Sequence, residues 1–288
     1  MTTNVAQAWT TFWAEQGPGS RCLARASEEL LQPLDTHWHE LASGLLPATE
    51  VLDLACGAGA VGRELLEGQP DLHVTGIDIA LIPPSQDHRI ELVPWTPMES
   101  LPFGEGSFDA AVSQFGYEYG QTAEAASEVA RVLAPGAPIS LLLHHSDSPL
   151  VEGMRLHKRA LEGLCSREVR ETFIAGNASV FGEQIARLKR QCPGDPIIDQ
   201  AAYGLQIHIR QEACRRSDIW KAVDDALRPE RIMLDALNLS CVGHDDVSYW
   251  TGPLSEAFDL APPTVVQMRS GEPIAWLIEG TRRPTASH

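Results

Sequence analysis

Three glycines, Gly57, Gly59 and Gly62, stand in the stretch LDLACGAGAVG (residues 52–62) at the spacing G-x-G-x-x-G. Glycines placed between an apolar run and a helical one let a ligand approach the backbone and meet the first turn of the helix. The spacing describes a backbone shape shared by several nucleotide-binding loops, pyrophosphate-binding ones included. Asp53, four residues before the first glycine, discriminates among them. A carboxylate there repels phosphate and suits a positively charged ligand.

Other side chains capable of chemistry fall at the ends of apolar runs. Asp78 closes VTGIDIA, a position that faces the ribose edge of an adenosine in nucleotide-binding sheets. His144 and His145 end ISLLLHH, and a histidine has the right basicity to take a proton near neutrality. Strand alternation sends at most one of the two towards the site. Tyr117 and Tyr119 in FGYEY are candidates to orient an acceptor or to shield a cation with their rings. His37 and His39, two apart on a helix, point to different faces, and GHDD at residues 243–246 lacks a partner cluster, so no metal site is expected.

These residues need a scaffold that brings strand ends together. From Glu50 the chain alternates short apolar runs (VLDLA, HVTGIDI, RIELVPW, FDAAVSQF, ISLLLHH) with helical stretches, among them TAEAASEVARVLAPG, which stops at Pro135-Gly136. That alternation predicts a parallel sheet with helices on its faces. Before it, Trp9, Phe12 and Trp13, then Leu30, Leu34 and Trp38, have helical spacing, with GPGS (17–20) breaking the pair. After Ser146 the apolar periodicity is helical for nearly a hundred residues, as in Leu161 and Leu164, Phe181, Ile185 and Leu188, or Trp220 and Val223. TVVQMRSGEPIAWLIEGTR then reads as an antiparallel hairpin. The expected organisation is N-terminal helices over 1–45 as a cofactor lid, a nucleotide-binding core over 46–147, a helical insertion over 148–245 as a substrate cap, and a C-terminal helix and hairpin over 246–288.

Composition narrows the partners. The formal charge is −17, which disfavours nucleic acid, whose binding rests on basic side chains. The charge is uneven: residues 151–231 hold fourteen Lys plus Arg against twelve Asp plus Glu, leaving eight against twenty-seven elsewhere. Six cysteines carry no C-x-x-C pair, and neither a leader peptide nor a membrane-spanning apolar run is evident. The expectation is a soluble cytoplasmic protein with reduced thiols, acting on a small molecule.

VLDLACGAG, GIDIA, LPFGEGSFDAAVSQFGYEY and ARVLAPGAPISLLLHH, in that order, resemble class I S-adenosylmethionine-dependent methyltransferases, in particular the ubiquinone/menaquinone C-methyltransferase-like branch (methyltransferase type 11 domain). The resemblance covers about residues 46–147, with a weaker echo at 246–281. It implies an α/β fold, a Rossmann-like seven-stranded, mostly parallel sheet with helices on both faces, and S-adenosyl-L-methionine as cofactor. By resemblance, Asp53, Ala55, Gly57 and Gly59 hold the methionine end, Asp78 the ribose and Ile79 the adenine, while Gln114 and Phe115 line the methyl-donor face. The family's adenine-binding Asp is replaced here by Pro97, which offers neither a side-chain acceptor nor an N–H; Met98 and Glu99 are the substitutes in reach. The activity implied is methyl transfer to a small-molecule oxygen or carbon, in preference to nitrogen, with His144, His145 and Tyr117 as catalytic candidates. Two alternatives stay open: a nicotinamide-dependent oxidoreductase using the G-x-G-x-x-G loop, and a non-catalytic cofactor-binding protein of the same fold.

Overall fold

The computed structural model describes residues 3–17, 20–22 and 26–284; Pro18 and Gly19 of the expected GPGS break lie outside them. The chain begins with α1 (Thr3–Gln16) and α2 (Glu28–Ser43), followed by β1 (Glu50–Leu54), α3 (Ala60–Gly68), β2 (His73–Ile77), β3 (Ile90–Val93) and β4 (Ala110–Gln114). A single 3-10 turn over Tyr117–Tyr119 leads to α4 (Thr122–Val132) and β5 (Pro138–His144). Five helices follow: α5 (Pro149–Leu164), α6 (Arg167–Ala175), α7 (Ala178–Gln191), α8 (Pro196–Gln206) and α9 (Ala213–Ser240). The chain closes with α10 (Val247–Ser255), β6 (Phe258–Leu260), β7 (Thr264–Gln267) and β8 (Pro273–Arg282).

The sheet runs β3-β2-β1-β4-β5-β8-β6, with β7 also paired to β8. β1 to β5 are mutually parallel, and β8 is antiparallel to β5, β6 and β7. The expected seven-stranded, mostly parallel sheet is present, with one addition. The last edge is shared by β6, opposite Gly280–Arg282, and β7, opposite Pro273–Leu277. Pro262 and Pro263 separate these two pieces, and a proline can donate no ladder hydrogen bond. Along β1 the burial is nearly continuous, as it is along β4 and β5, because helices cover both faces of a parallel sheet. Ala125, Val129 and Val132 of α4 join Leu52, Leu54, Ile139, Leu141 and Phe258 in the principal core.

β1 lies between β2 and β4, where the strand order reverses. The carboxyl ends of strands around such a point leave a crevice between diverging loops, and that is where the glycine loop sits. Residues 1–151 and 239–288 form one compact unit and residues 152–238 a second, built only of helices among the described residues. The second unit has its own core of Leu164, Phe173, Phe181, Ile185, Leu188, Ile198, Leu205 and Trp220. Within it the buried Arg216 donates to the carbonyls of Ile174, Ile209 and Gln211, tying the end of α6 to the connection between α8 and α9.

Candidate functional site

The turn after β1 has an unusual backbone. Ala55 takes φ +55° and Gly57 φ +53°, both left-handed. Cys56 N–H is held by Ile77 O at 2.9 Å and Gly59 N–H by Cys56 O at 2.9 Å, so the turn is fixed against the end of β2. A side chain at Gly57 is excluded twice over: its φ disfavours one, and a Cβ there would fall 2.2 Å from Cζ2 of Trp13 in α1. Gly62 has a different task. It has no left-handed φ, and a Cβ there would meet Val74 Cγ1 at 3.2 Å and Ile90 Cδ1 at 3.3 Å, so it lets α3 pack closely on the sheet.

Around this turn lies a cleft that is partly open to solvent. Its floor comes from the strand ends: Asp53 in β1 with Ala55 and Gly57 after it, Asp78 and Ile79 after β2, Gln114 at the end of β4 with Phe115 after it, and His144 at the end of β5. Its wall comes from Trp9 and Trp13 of α1 and from Tyr119. Trp9 stacks on Trp13 at 6.2 Å and meets Tyr119 edge-on at 6.0 Å. Gln114 is fixed by Trp38 of α2, whose Nε1 donates to its Oε1 at 2.6 Å.

The two aspartates have different environments. Asp78 accepts Gly57 N–H at 3.0 Å and Ala80 N–H at 2.9 Å; burial raises its carboxyl to about 6, and these N–H groups restrain the shift. Asp53 is 1% exposed, and neither of its oxygens has a hydrogen-bond partner among the described residues. Burial, reinforced by the charge of Asp78, pushes it up to about 8; the backbone N–H of Gly62 opposes the shift from close by, though outside good hydrogen-bond geometry. A buried acceptor without a partner costs free energy, and the group that relieves that cost is a cationic donor. Trp13 Nε1 and the Tyr119 hydroxyl are likewise buried without partners. An orphaned carboxylate, two orphaned donors and a cradle bared of side chain at Gly57 fit a ligand that carries both an ammonium and a carboxylate, as the methionine end of S-adenosylmethionine does.

The remaining expected site residues separate. His144 lines the cleft, stacked on Phe115 with ring centroids 4.2 Å apart, and Phe115 holds that position with φ +58°. Its Nδ1 lies 2.6 Å from Oε1 of Glu118, which also accepts the His144 backbone N–H at 3.0 Å. His145 is not at the cleft: alternation turns it to the other face, where it stacks on Trp276 at 4.9 Å, and burial lowers its basicity. Tyr117 is not there either. It is 1% exposed in the principal core, and burial holds its hydroxyl well above the ordinary range. Met98 packs in the same core, and Glu99 is spent accepting Gln121 N–H at 2.8 Å; neither lines the cleft as the adenine substitutes would require. Gly59 caps α3 at φ +77° and faces Leu92 rather than the cleft. Glu118 had no sequence signal, since its partner is 26 residues away on another strand.

Among the described residues, ligand-capable atoms of His39, Glu64 and Glu67 come together, and none of the three lines the cleft. Glu64 is also paired with Arg21, so the group's charge is compensated within the protein. No helix among the described residues is long and apolar enough to cross a membrane.

Residues 51–136 match the family model described as a methyltransferase domain. No curated protein matches the chain. Among solved structures, the chain is similar to one in the Haloferax volcanii complex between the Trm112 methyltransferase activator and a putative methyltransferase, at 12% identity over 99% of this chain and 100% of that one, with a TM-score of 0.50. It is also similar to an S-adenosylmethionine-dependent methyltransferase from Methanosarcina mazei (17% identity, 85% of this chain and 98% of that one, TM-score 0.43). A third is the Burkholderia thailandensis 1,6-didemethyltoxoflavin-N1-methyltransferase with bound 1,6-didemethyltoxoflavin and S-adenosylhomocysteine (13% identity, 93% and 95%, TM-score 0.43). At these identities the likeness to the first of them speaks to the fold alone, a Rossmann-like α/β sheet flanked by helices. The family match itself is to a methyltransferase domain and covers residues 51–136, the stretch from β1 to the turn before β5 that contains the glycine loop.

Proposed function

We propose that the chain methylates a hydroxyl oxygen, or the activated carbon beside one, on a flat and uncharged or cationic small molecule, as a cytoplasmic enzyme of the quinone C-methyltransferase-like branch. His144 carries this reading: a buried histidine that lines the cleft next to Gln114 and Phe115, with no hydrogen-bond partner at Nε2 among the described residues. S-adenosylmethionine, when bound, supplies a methyl group already activated on a sulfonium, so alignment and water exclusion are most of the remaining task, worth on the order of 7–11 kcal/mol. Asp53 and Trp13 are the residues to hold the methionine end and Asp78 the ribose, with Ile79 beside the adenine. Trp9 and Trp13 of α1 serve as the lid. Hydroxyl and phenolic carbon acceptors must lose a proton near the moment of attack, and His144 is the base in place to take it.

The charge of the cleft supports the acceptor class. Asp53 and Asp78 are buried in the cleft, and Arg21, the arginine among its lining residues, is already paired with Asp35 and Glu64, so little positive charge is left for an anionic acceptor, while Trp9, Phe115, Tyr119 and His144 present ring surfaces suited to a planar one. The helical insertion at 148–245 is the proposed source of finer acceptor choice. A panel of phenols, enols and matched aromatic amines, with S-adenosylhomocysteine release as the readout, tests the proposal. Turnover of a hydroxyl-bearing member, lost in His144→Ala while cofactor affinity is kept, is the expected result. Turnover confined to amines overturns the acceptor class; cofactor binding without turnover of any member favours the non-catalytic alternative.

A further inference from the structure

Glu118 is a buried glutamate that neither the strand pattern nor the glycine loop explains. It is 1% exposed, lies in the 3-10 turn after β4, and spends one oxygen twice on one residue. Oε1 accepts the backbone N–H of His144 at 3.0 Å and lies 2.6 Å from Nδ1 of the same residue. The backbone group can only donate, so Oε1 is an acceptor there, and an ionised Glu118 accepts the shorter contact as well, from a proton on Nδ1. Nε2 is then the bare nitrogen, on a ring that lines the cleft. The ring cannot turn away: Phe115 lies flat against it at 4.2 Å and Tyr119 stands edge-on to it at 6.4 Å. The second carboxylate oxygen, Oε2, is buried with no partner among the described residues, an arrangement of cost without benefit if Glu118 served packing alone.

We infer that Glu118 is a positioning residue for methyl transfer, holding His144 in the Nδ1–H tautomer so that Nε2 receives the acceptor's proton. The inference rests on the hydroxyl-acceptor reading above. When that proton moves, the O–H bond electrons stay on the acceptor oxygen and the positive charge arrives on the imidazole, beside the Glu118 carboxylate. A carboxylate that orients a histidine from behind and stabilises its cation is a general solution for base catalysis. Among the described residues Glu118 is the carboxylate bonded to the ring; Asp147 lies beside His145 instead.

The test is nitrogen NMR of 15N-histidine-labelled protein saturated with S-adenosylhomocysteine at pH 8, with His144 assigned by its loss in His144→Gln. Wild type should show a protonated Nδ1 and a bare Nε2, favoured more than about tenfold over the reverse, as a hydrogen bond to a charged group can enforce. Glu118→Gln keeps a carbonyl acceptor and should keep that tautomer. Glu118→Ala should lose the preference and, with any acceptor that turns over, lower kcat about tenfold or more with cofactor affinity unchanged. A wild-type His144 protonated at Nε2, or a tautomer ratio that Glu118→Ala leaves alone, overturns the inference. If Glu118→Ala fails to fold, the wild-type and Glu118→Gln spectra decide it. The nitrogen spectra need no acceptor, so a failure there is distinct from a failure of the acceptor panel.

Discussion

With Asp53 holding the ammonium as proposed, cofactor binding should be a proton-coupled event, and the size of the coupling follows from the surroundings of the carboxyl. Without ligand its carboxyl is pushed up to about 8 by burial and by Asp78, so at pH 6 only about 1% is ionised. A cationic ligand needs the ionised form, and each unit below pH 8 costs about 1.4 kcal/mol to reach it. Affinity for S-adenosylhomocysteine should therefore rise about tenfold from pH 6 to pH 7 and level off near pH 8, where the ligand's own ammonium begins to lose its charge. At pH 7 close to one proton should be released per ligand bound, measured by titration calorimetry in two buffers of different ionisation enthalpy. Asp53→Asn should abolish the proton release and weaken binding by about 2 kcal/mol or more, the usual cost of removing one partner of a buried charged pair. The same carboxyl makes the ligand-free protein less stable as pH rises: unfolded Asp ionises near 4 and folded Asp53 near 8, so stability is full below about 4 and falls through to about 8. Affinity independent of pH between 6 and 7, with no proton released, would refute the assignment.

Asp78→Ala should lose S-adenosylhomocysteine binding and also lower the unfolding midpoint, because it strands the N–H groups of Gly57 and Ala80 at about 1–3 kcal/mol each. Gly57→Ala should displace Trp13 and impair cofactor binding, whereas Gly62→Ala, whose contacts at 3.2 and 3.3 Å are flexible methyl groups, should cost about 1–3 kcal/mol of stability and leave cofactor affinity unchanged; titration of both variants separates the two roles. In the second unit, His157 bridges Asp195 at 2.7 Å and Glu230 at 2.9 Å. Burial alone lowers its basicity, but the two carboxylates raise it overall, so its contribution is full below about pH 6.5 and lost as pH rises through the higher folded value. Urea unfolding should show His157→Gln less stable than wild type at pH 6, with the gap narrowing by pH 9.

Much of the site could be read from local pattern. The apolar runs at 50–54, 73–77 and 138–144, the glycine turn, and the aspartates at strand ends are features that a few adjacent residues specify, and the sheet places them together at the crevice beside β1. Features fixed by distant parts of the chain were not readable. Glu118 meets His144 only because β4 and β5 are neighbours. Tyr117 and Tyr119 are two apart in a 3-10 turn, so they point to different sides, and periodicity gives no means of saying which one reaches the cleft. Met98 and Glu99 were placed by analogy across Pro97, where the family pattern itself breaks, and the local chain there runs into the core. β6 is three residues long and stops at a double proline, too short for alternation to register.

The central claim, that this glycine loop holds S-adenosylmethionine rather than a dinucleotide, is tested most directly by thermal unfolding with S-adenosylhomocysteine or NAD added to the same protein. At a hundredfold excess over its dissociation constant, S-adenosylhomocysteine should add about 2.7 kcal/mol of stability and raise the midpoint by several degrees, while NAD leaves it in place. A midpoint raised by NAD and unmoved by S-adenosylhomocysteine would contradict the account.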